Sequence, residues 1–159
     1  MIIVVLGVSG SGKSTISKGL SQALNIPYYD SDDFHPIANI NKMSSGQPLN
    51  DKDREPWLEE LAQNLSVWAE ENGAVLACSA LKEKYRNLLN SNCADKIIWV
   101  YLKGDYELIK SRMESRKDHF MASQMLKSQF EALEVPEYGI HVDISGSPEA
   151  IITSILERI

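Results

Sequence analysis

Residues 7–15 read Gly-Val-Ser-Gly-Ser-Gly-Lys-Ser-Thr and follow an apolar run of strand length, residues 1–6. The spacing Gly-x-x-x-x-Gly-Lys-Ser/Thr is complete, and the apolar pattern behind it predicts a helix from Lys13 to about Leu24. Glycines let backbone amides turn toward phosphate oxygens, and a helix amino terminus adds unpaired amides and the positive end of a dipole. The stretch therefore predicts a site for a nucleoside triphosphate, in preference to a turn that binds nothing.

Each position of this phosphate loop has an expected task. Lys13 should reach the β and γ phosphates, and the Ser14 hydroxyl should ligate Mg²⁺. We assign nucleotide binding to the whole segment: Gly7, Val8, Ser9, Gly10, Ser11, Gly12, Lys13, Ser14 and Thr15.

Composition narrows the class of protein. A chain of 159 residues with 43% hydrophobic residues fits one globular domain. The net charge of −6 argues against a nucleic-acid surface, which needs a basic patch. The apolar start spans only six residues and has no basic leader, so we expect a cytoplasmic protein without a membrane span. Cys78 and Cys93 are too few for a disulfide framework and are expected in the core.

Short apolar runs alternate with longer amphipathic ones, which is typical of a parallel sheet covered by helices. We predict a three-layer α/β domain over residues 1–159. Pro56 suits the opening turn of a helix, Asp105 suits a helix amino-terminal cap, and Ser147 and Pro148 should begin the last helix. The predicted strands are residues 2–6, 27–29, 74–77, 96–102 and 140–144.

Two polar stretches, residues 30–53 and 116–122, fit no packing pattern and are predicted to be functional loops. The first begins where the second strand ends, at the sheet edge where ligands bind in open α/β folds. Asp30 and Asp32 are candidates to hold Mg²⁺ and to orient or deprotonate an acceptor hydroxyl. Their spacing of two suggests that both project to one side of an extended segment. Asp33 is interpreted as a solvated turn residue.

Basic residues beside the next loops indicate an anionic acceptor. Arginine can clamp a carboxylate with two hydrogen bonds, and lysine adds a point charge. The candidates, which taken singly would be ordinary surface residues, are Lys42, Arg54, Lys82 and Arg86.

Arg112 and Arg116 lie four residues apart on a predicted helix and so share a face. A basic segment over residues 112–124 is predicted to act as a lid that closes over the triphosphate and excludes water. Arg116 would then neutralise charge on the moving phosphoryl group.

Several further blocks accompany the phosphate loop along the chain. They are Asp-Ser-Asp-Asp-Phe-His-Pro from residue 30, Lys-Met-Ser-Ser-Gly-Gln-Pro-Leu-Asn-Asp from residue 42, Pro-Trp-Leu from residue 56, Cys-Ser-Ala-Leu-Lys-Glu-Lys-Tyr-Arg from residue 78 and Ser-Gln-Phe-Glu-Ala-Leu-Glu from residue 128. Together these blocks resemble the short gluconokinases of the phosphate-loop kinase superfamily, and the resemblance spans nearly the whole chain in order. Ser31 departs from the glycine that many gluconokinases have there.

The resemblance implies transfer of the ATP γ-phosphate to the 6-hydroxyl of D-gluconate in gluconate catabolism. It implies a five-stranded parallel sheet like that of shikimate and nucleoside monophosphate kinases, a helical substrate-binding segment over residues 34–72, and a homodimer. By similarity to shikimate kinases, Asp30 would serve Mg²⁺ and Asp32 the acceptor. Arg112 and Pro148 would flank adenine, and His35 would join the basic residues around the polyol acid.

Two alternatives stay open. A kinase for another small acid, such as shikimate, disagrees with the Pro-Trp-Leu and Lys-Met blocks. A nucleotide switch without a small acceptor would be expected to read guanine through Asn-Lys-x-Asp, which the sequence lacks.

Overall fold

The computed structural model describes residues 1–93, 97–115 and 119–159, the side chains of residues 119–124 excepted. Its strands form one parallel sheet in the order β2-β3-β1-β4-β5, which confirms the predicted α/β class. The strands are β1 Ile2–Leu6, β2 Tyr28–Asp30, β3 Ala74–Ala77, β4 Ile97–Lys103 and β5 Ile140–Asp143. The helices are α1 Lys13–Leu24, α2 Ile37–Ser44, α3 Asp51–Glu70, α4 Glu83–Asn90, α5 Tyr106–Glu114, α6 His119–Ala132 and α7 Pro148–Leu156, and a 3₁₀ turn spans Ser31–Phe34.

The central strand β1 is buried on both faces, as its continuous apolar run requires. Successive side chains of a strand point to opposite faces, so Val4 and Leu6 enter one core while Ile3 and Val5 enter the other. The first core includes side chains of α3 and α4, and the second includes side chains of α1, α5, α6 and α7. Both predicted core cysteines are confirmed as buried, and none of the described helices is long and apolar enough to cross a membrane.

Helix α3 begins earlier than predicted. Pro56 lies inside the helix and does not open it, because a capping box fixes the first turn five residues upstream. The Asn50 side chain accepts from the Asp53 amide at 2.8 Å, and the Asp53 carboxylate accepts from the Asn50 amide at 2.9 Å. The predicted caps of the later helices are confirmed, with Asp105 accepting from Leu108 and Ser147 from Ala150.

The polar stretch 30–53 is not one loop, since it contains the 3₁₀ turn and α2. Contacts with α3 stabilise α2: Asn39 donates to the Asp53 carbonyl at 2.9 Å, and Lys42 contacts the Asp53 carboxylate at 2.5 Å. In the second stretch, α6 already begins at His119, and residues 116–118 lie outside the described residues.

Candidate active site

The phosphate loop joins the central strand β1 to α1. Gly12 is the amino-terminal cap of α1 with φ +96°, and Gly10 has φ +78°, both in the left-handed region that favours glycine. A Cβ on Gly10 would lie 2.7 Å from Met113 Cγ, so α5 packs directly against the loop. Backbone conformation and close packing therefore both require glycine at this position.

Lys13 bridges the two ends of the loop. Its Nζ donates to the carbonyl oxygens of Gly7 at 3.0 Å and Val8 at 2.9 Å. Burial lowers the pKa of Lys13, while Cys78, Asp32 and Asp30 act in the opposite direction. The fold therefore brings the predicted acid pair within electrostatic reach of the phosphate-loop lysine.

After Asp30 the predicted extended segment gives way to a 3₁₀ turn over Ser31–Phe34, here called the acid turn, so strand alternation does not set the direction of the Asp32 side chain. Asp30 ends β2, and its Oδ1 accepts from the Asp32 amide at 2.9 Å, which caps the 3₁₀ turn. The Asp32 side chain is 82% exposed. Desolvation by the surrounding protein raises the pKa of Asp32, as does the Asp30 carboxylate, while His35 and Lys13 lower it. Asp32 is thus an accessible carboxylate whose pKa is raised.

His35 forms the buried wall behind Asp32. Its ring stacks on Trp57 at 4.1 Å, its side chain is only 6% exposed, and its Nε2 lies 4.0 Å from Asp32 Oδ1. Burial lowers the pKa of His35. The Asp32 carboxylate acts to raise this pKa, and the Arg54 guanidinium acts to lower it further. Trp57 Nε1 donates to the buried Ser31 carbonyl at 2.8 Å. This hydrogen bond attaches the 3₁₀ turn that carries Asp32 to α3.

Arg54 and Lys82 meet around one aromatic ring. The Arg54 guanidinium carbon lies 5.6 Å from the centroid of Tyr85, and Lys82 Nζ lies 5.9 Å from it. Arg54 Nη1 donates to the Tyr85 hydroxyl at 3.3 Å, and that hydroxyl donates to Asp51 at 2.5 Å. Two of the predicted substrate-binding cations therefore share one surface, and Tyr85 and Asp51, which the sequence did not single out, hold it together.

Arg86 does not join this surface. Its side chain is buried, and its guanidinium donates to the Ala80 carbonyl at 2.7 Å, the Glu134 carbonyl at 2.7 Å and Glu83 at 3.0 Å. Because the protein itself occupies these donors, the geometry does not support the predicted substrate contact of Arg86. Lys42 is partly exposed and forms an ion pair with Asp53, and Arg54 lies 3.6 Å from Asp51.

Known kinases resemble this chain over nearly its whole length. A family model described as shikimate kinase matches residues 9–159. The thermoresistant gluconokinase of Escherichia coli K12 is 42% identical over 99% of this chain and 93% of its own, and the Arabidopsis thaliana gluconokinase is 38% identical over 99% and 92%. The chain belongs to the gluconokinase family. The crystal structure of a gluconokinase from Sinorhizobium meliloti 1021 superposes with a TM-score of 0.89 at 38% identity, over 98% of this chain and 89% of that one.

Membership of the gluconokinase family makes the chain an ATP-dependent kinase. A shikimate kinase from Aquifex aeolicus, 23% identical with a TM-score of 0.60, shares the fold.

Arg112 and Pro148, the two residues predicted to flank adenine, both lie beside the connection between β5 and α7. Arg112 Nη2 donates to the Ile144 carbonyl at 2.7 Å, at the start of the connection that leads to Pro148, the first residue of α7. Arg116, the predicted catalytic residue of the lid, lies outside the described residues.

Sequence reasoning missed Gln129, which contacts the phosphate loop directly. The Ser9 amide donates to Gln129 Oε1 at 2.6 Å, and Gln129 Nε2 donates to Ser9 Oγ at 2.9 Å. The two residues are 120 positions apart, so neither periodicity nor spacing could pair them. Its place in the family-like block at residue 128 was the only available signal.

Proposed function

We propose that this protein transfers the γ-phosphate of ATP to the 6-hydroxyl of D-gluconate, giving 6-phosphogluconate and ADP. One observation carries the proposal. An accessible carboxylate, Asp32, lies within electrostatic reach of Lys13. His35, whose Nε2 is 4.0 Å from Asp32, is within reach of Arg54, which shares the ring of Tyr85 with Lys82. A kinase for a polyol acid needs these three elements: a phosphate cradle, a base for the hydroxyl and cations for the carboxylate.

In the proposed mechanism Asp32 orients the acceptor hydroxyl and takes its proton as the oxygen attacks phosphorus. Lys13 neutralises charge that develops on the phosphoryl oxygens, and Arg116 adds a second cation from the lid. Arg54 and Lys82 bind the acceptor carboxylate, with His35 behind Asp32 as a neutral wall. Arg112 and Pro148 flank the adenine.

The oxygen donors of Ser14 and Asp30 suit Mg²⁺, a hard cation that keeps water and phosphate ligands. Ser14 is exposed in the first turn of α1, and Asp30 ends β2 close enough to affect Lys13 electrostatically. When bound, Mg²⁺ would neutralise phosphate charge. We expect EDTA to abolish turnover and added Mg²⁺ to restore it.

An acceptor screen coupled to ADP release tests the substrate. We expect turnover with gluconate and none with shikimate, nucleoside monophosphates or buffer alone. Turnover with shikimate but not gluconate would overturn the substrate assignment, and acceptor-independent hydrolysis would favour a nucleotide switch. ³¹P NMR of the product distinguishes a 6-phosphate ester from other positions.

The remaining parts of the proposal concern organisation. We assign acceptor binding to residues 34–72 and the lid to residues 112–124 within a single kinase domain, and we propose a cytoplasmic homodimer. Light scattering of the purified protein measures its mass against 17.8 kDa for one chain.

A further inference from the structure

Gln129 lies on α6, on the side of the helix that packs against the core. Leu126, three residues earlier, is fully buried, and Phe130 packs edge-on against Tyr106 at 5.5 Å. Between them the Gln129 carboxamide uses both of its polar atoms on Ser9. Such a two-point contact fixes the plane of the amide as well as its distance.

Ser9 occupies the turn of the phosphate loop between Val8, whose carbonyl accepts from Lys13, and Gly10, which has a left-handed backbone. The backbone direction at Ser9 therefore influences both the lysine and the amides that follow it. Without Gln129, the Ser9 amide would lose a partner in a partly buried site, and the loop would gain freedom that ATP binding must remove.

The residues that follow α6 are anchored to the connection between β3 and α4 and to the start of α4. The Glu134 amide donates to the Leu81 carbonyl at 2.8 Å, and the Glu83 amide donates to Glu134 Oε1 at 2.8 Å. Arg86 donates to the Glu134 carbonyl. Hydrogen bonds of Glu134 therefore attach the end of α6 to the connection that carries Lys82. This attachment restrains the position of Gln129 on the helix.

We propose that Gln129 is a positioning residue for ATP: it holds Ser9 and keeps the phosphate loop in the shape that receives the triphosphate. The amide acts through Ser9 and does not itself need to touch the nucleotide. The proposal rests on the proposed kinase function only for its turnover readout, because nucleotide binding can be measured without any acceptor.

Calorimetric titration of the full chain with MgADP and with a non-hydrolysable MgATP analogue tests this role. Gln129→Met keeps the length of the side chain and removes both hydrogen bonds, while Gln129→Asn keeps the amide but shortens its reach. We expect both to raise the Kd about tenfold, the effect of losing roughly 1.4 kcal/mol of hydrogen bonding. Ser128→Ala, an exposed neighbour on the same helix, is the matched control and should leave the Kd unchanged.

Two further measurements separate positioning from general stability. The KM for ATP should rise about tenfold in Gln129→Met while the KM for gluconate changes less than twofold. Ser9→Ala combined with Gln129→Met should weaken nucleotide binding less than the sum of the two single changes. An unchanged Kd in both Gln129 variants, equal rises in both KM values, or strict additivity would each overturn the proposal. If gluconate is not the acceptor, the calorimetric result still decides the role of Gln129.

Discussion

The contact between Trp57 and the acid turn gives a prediction that links stability to turnover. Trp57→Phe keeps an aromatic ring that can stack on His35 but removes the Nε1 donor to the Ser31 carbonyl. That carbonyl lies between Asp30 and Asp32, and both Ser31 and Trp57 are buried. The substitution should therefore loosen the turn that orients Asp32.

The expected magnitude follows from two losses. A buried acceptor left without its donor costs about 1–3 kcal/mol, and the smaller ring buries less apolar area, worth about 1 kcal/mol more. For a chain of this size, a total of about 2–4 kcal/mol lowers the melting temperature by roughly 4–16 °C. Displacement of Asp32 should lower kcat about ten- to hundredfold with little change in the KM for ATP.

Thermal melting by circular dichroism and ADP-release kinetics measure the two effects on one sample. Trp68→Phe is the matched control, because Trp68 lies on the same helix with similar burial and stacks on Tyr29 at 3.9 Å, a contact that phenylalanine preserves. The reasoning is refuted if Trp57→Phe melts within 2 °C of the wild type, or if Trp68→Phe loses as much turnover as Trp57→Phe.

Three other predictions follow from the site. Asp32→Asn should lower kcat about 10²- to 10⁴-fold without lowering the melting temperature, and full activity in ADP release would remove its role as base. Folded His35 binds its proton less tightly than the unfolded residue, so its contribution to stability is lost as the pH falls through 6.5 toward its lowered pKa. Urea unfolding at pH 7.5 and 5.5 should therefore show a smaller loss for His35→Gln than for the wild type, and equal losses would contradict this. Gly10→Ala should cost about 1–2 kcal/mol for its backbone alone, plus the overlap with Met113. Gly46→Ala, with φ +83° and open space around its Cβ, isolates the backbone part, and equal melting temperatures for the two variants would exclude the overlap.

The strand, loop and helix around the glycine-rich segment could be predicted from the sequence because their determinants are local. A strand, a glycine-rich loop and a helix follow one another within residues 1–24, and both predicted boundaries of α1 agree with the structure. The three central strands β1, β3 and β4 could be located because each is a short, mainly apolar run. Local spacing is the information that a single sequence carries most directly.

The proposed acceptor half depends on specific side-chain hydrogen bonds, some local and some between distant segments, which apolar periodicity does not encode. Asp30 caps the turn that follows it, so its relation to Asp32 is set by a hydrogen bond and not by strand alternation. Arg86 seemed a surface cation from its type, but α4 turns it inward onto backbone carbonyls of two connections. Pro56 suggested a helix start, but the capping box at Asn50 begins the helix at Asp51.

The strand order predicts that the backbone hydrogen bonds of β1 and β2 differ in how easily they open. Strand β1, which carries the phosphate loop, is hydrogen-bonded to β3 and β4, whereas β2, which carries the acid turn, lies at the edge of the sheet. Amide hydrogens of β1 should therefore exchange with solvent most slowly, and those of β2 sooner through local opening. Mutations at the edge can remodel acceptor recognition while the nucleotide side keeps its shape. The fold thus places the proposed nucleotide side on the best-supported strand of the sheet and the proposed acceptor side on an edge strand, where changes disturb the rest of the sheet least.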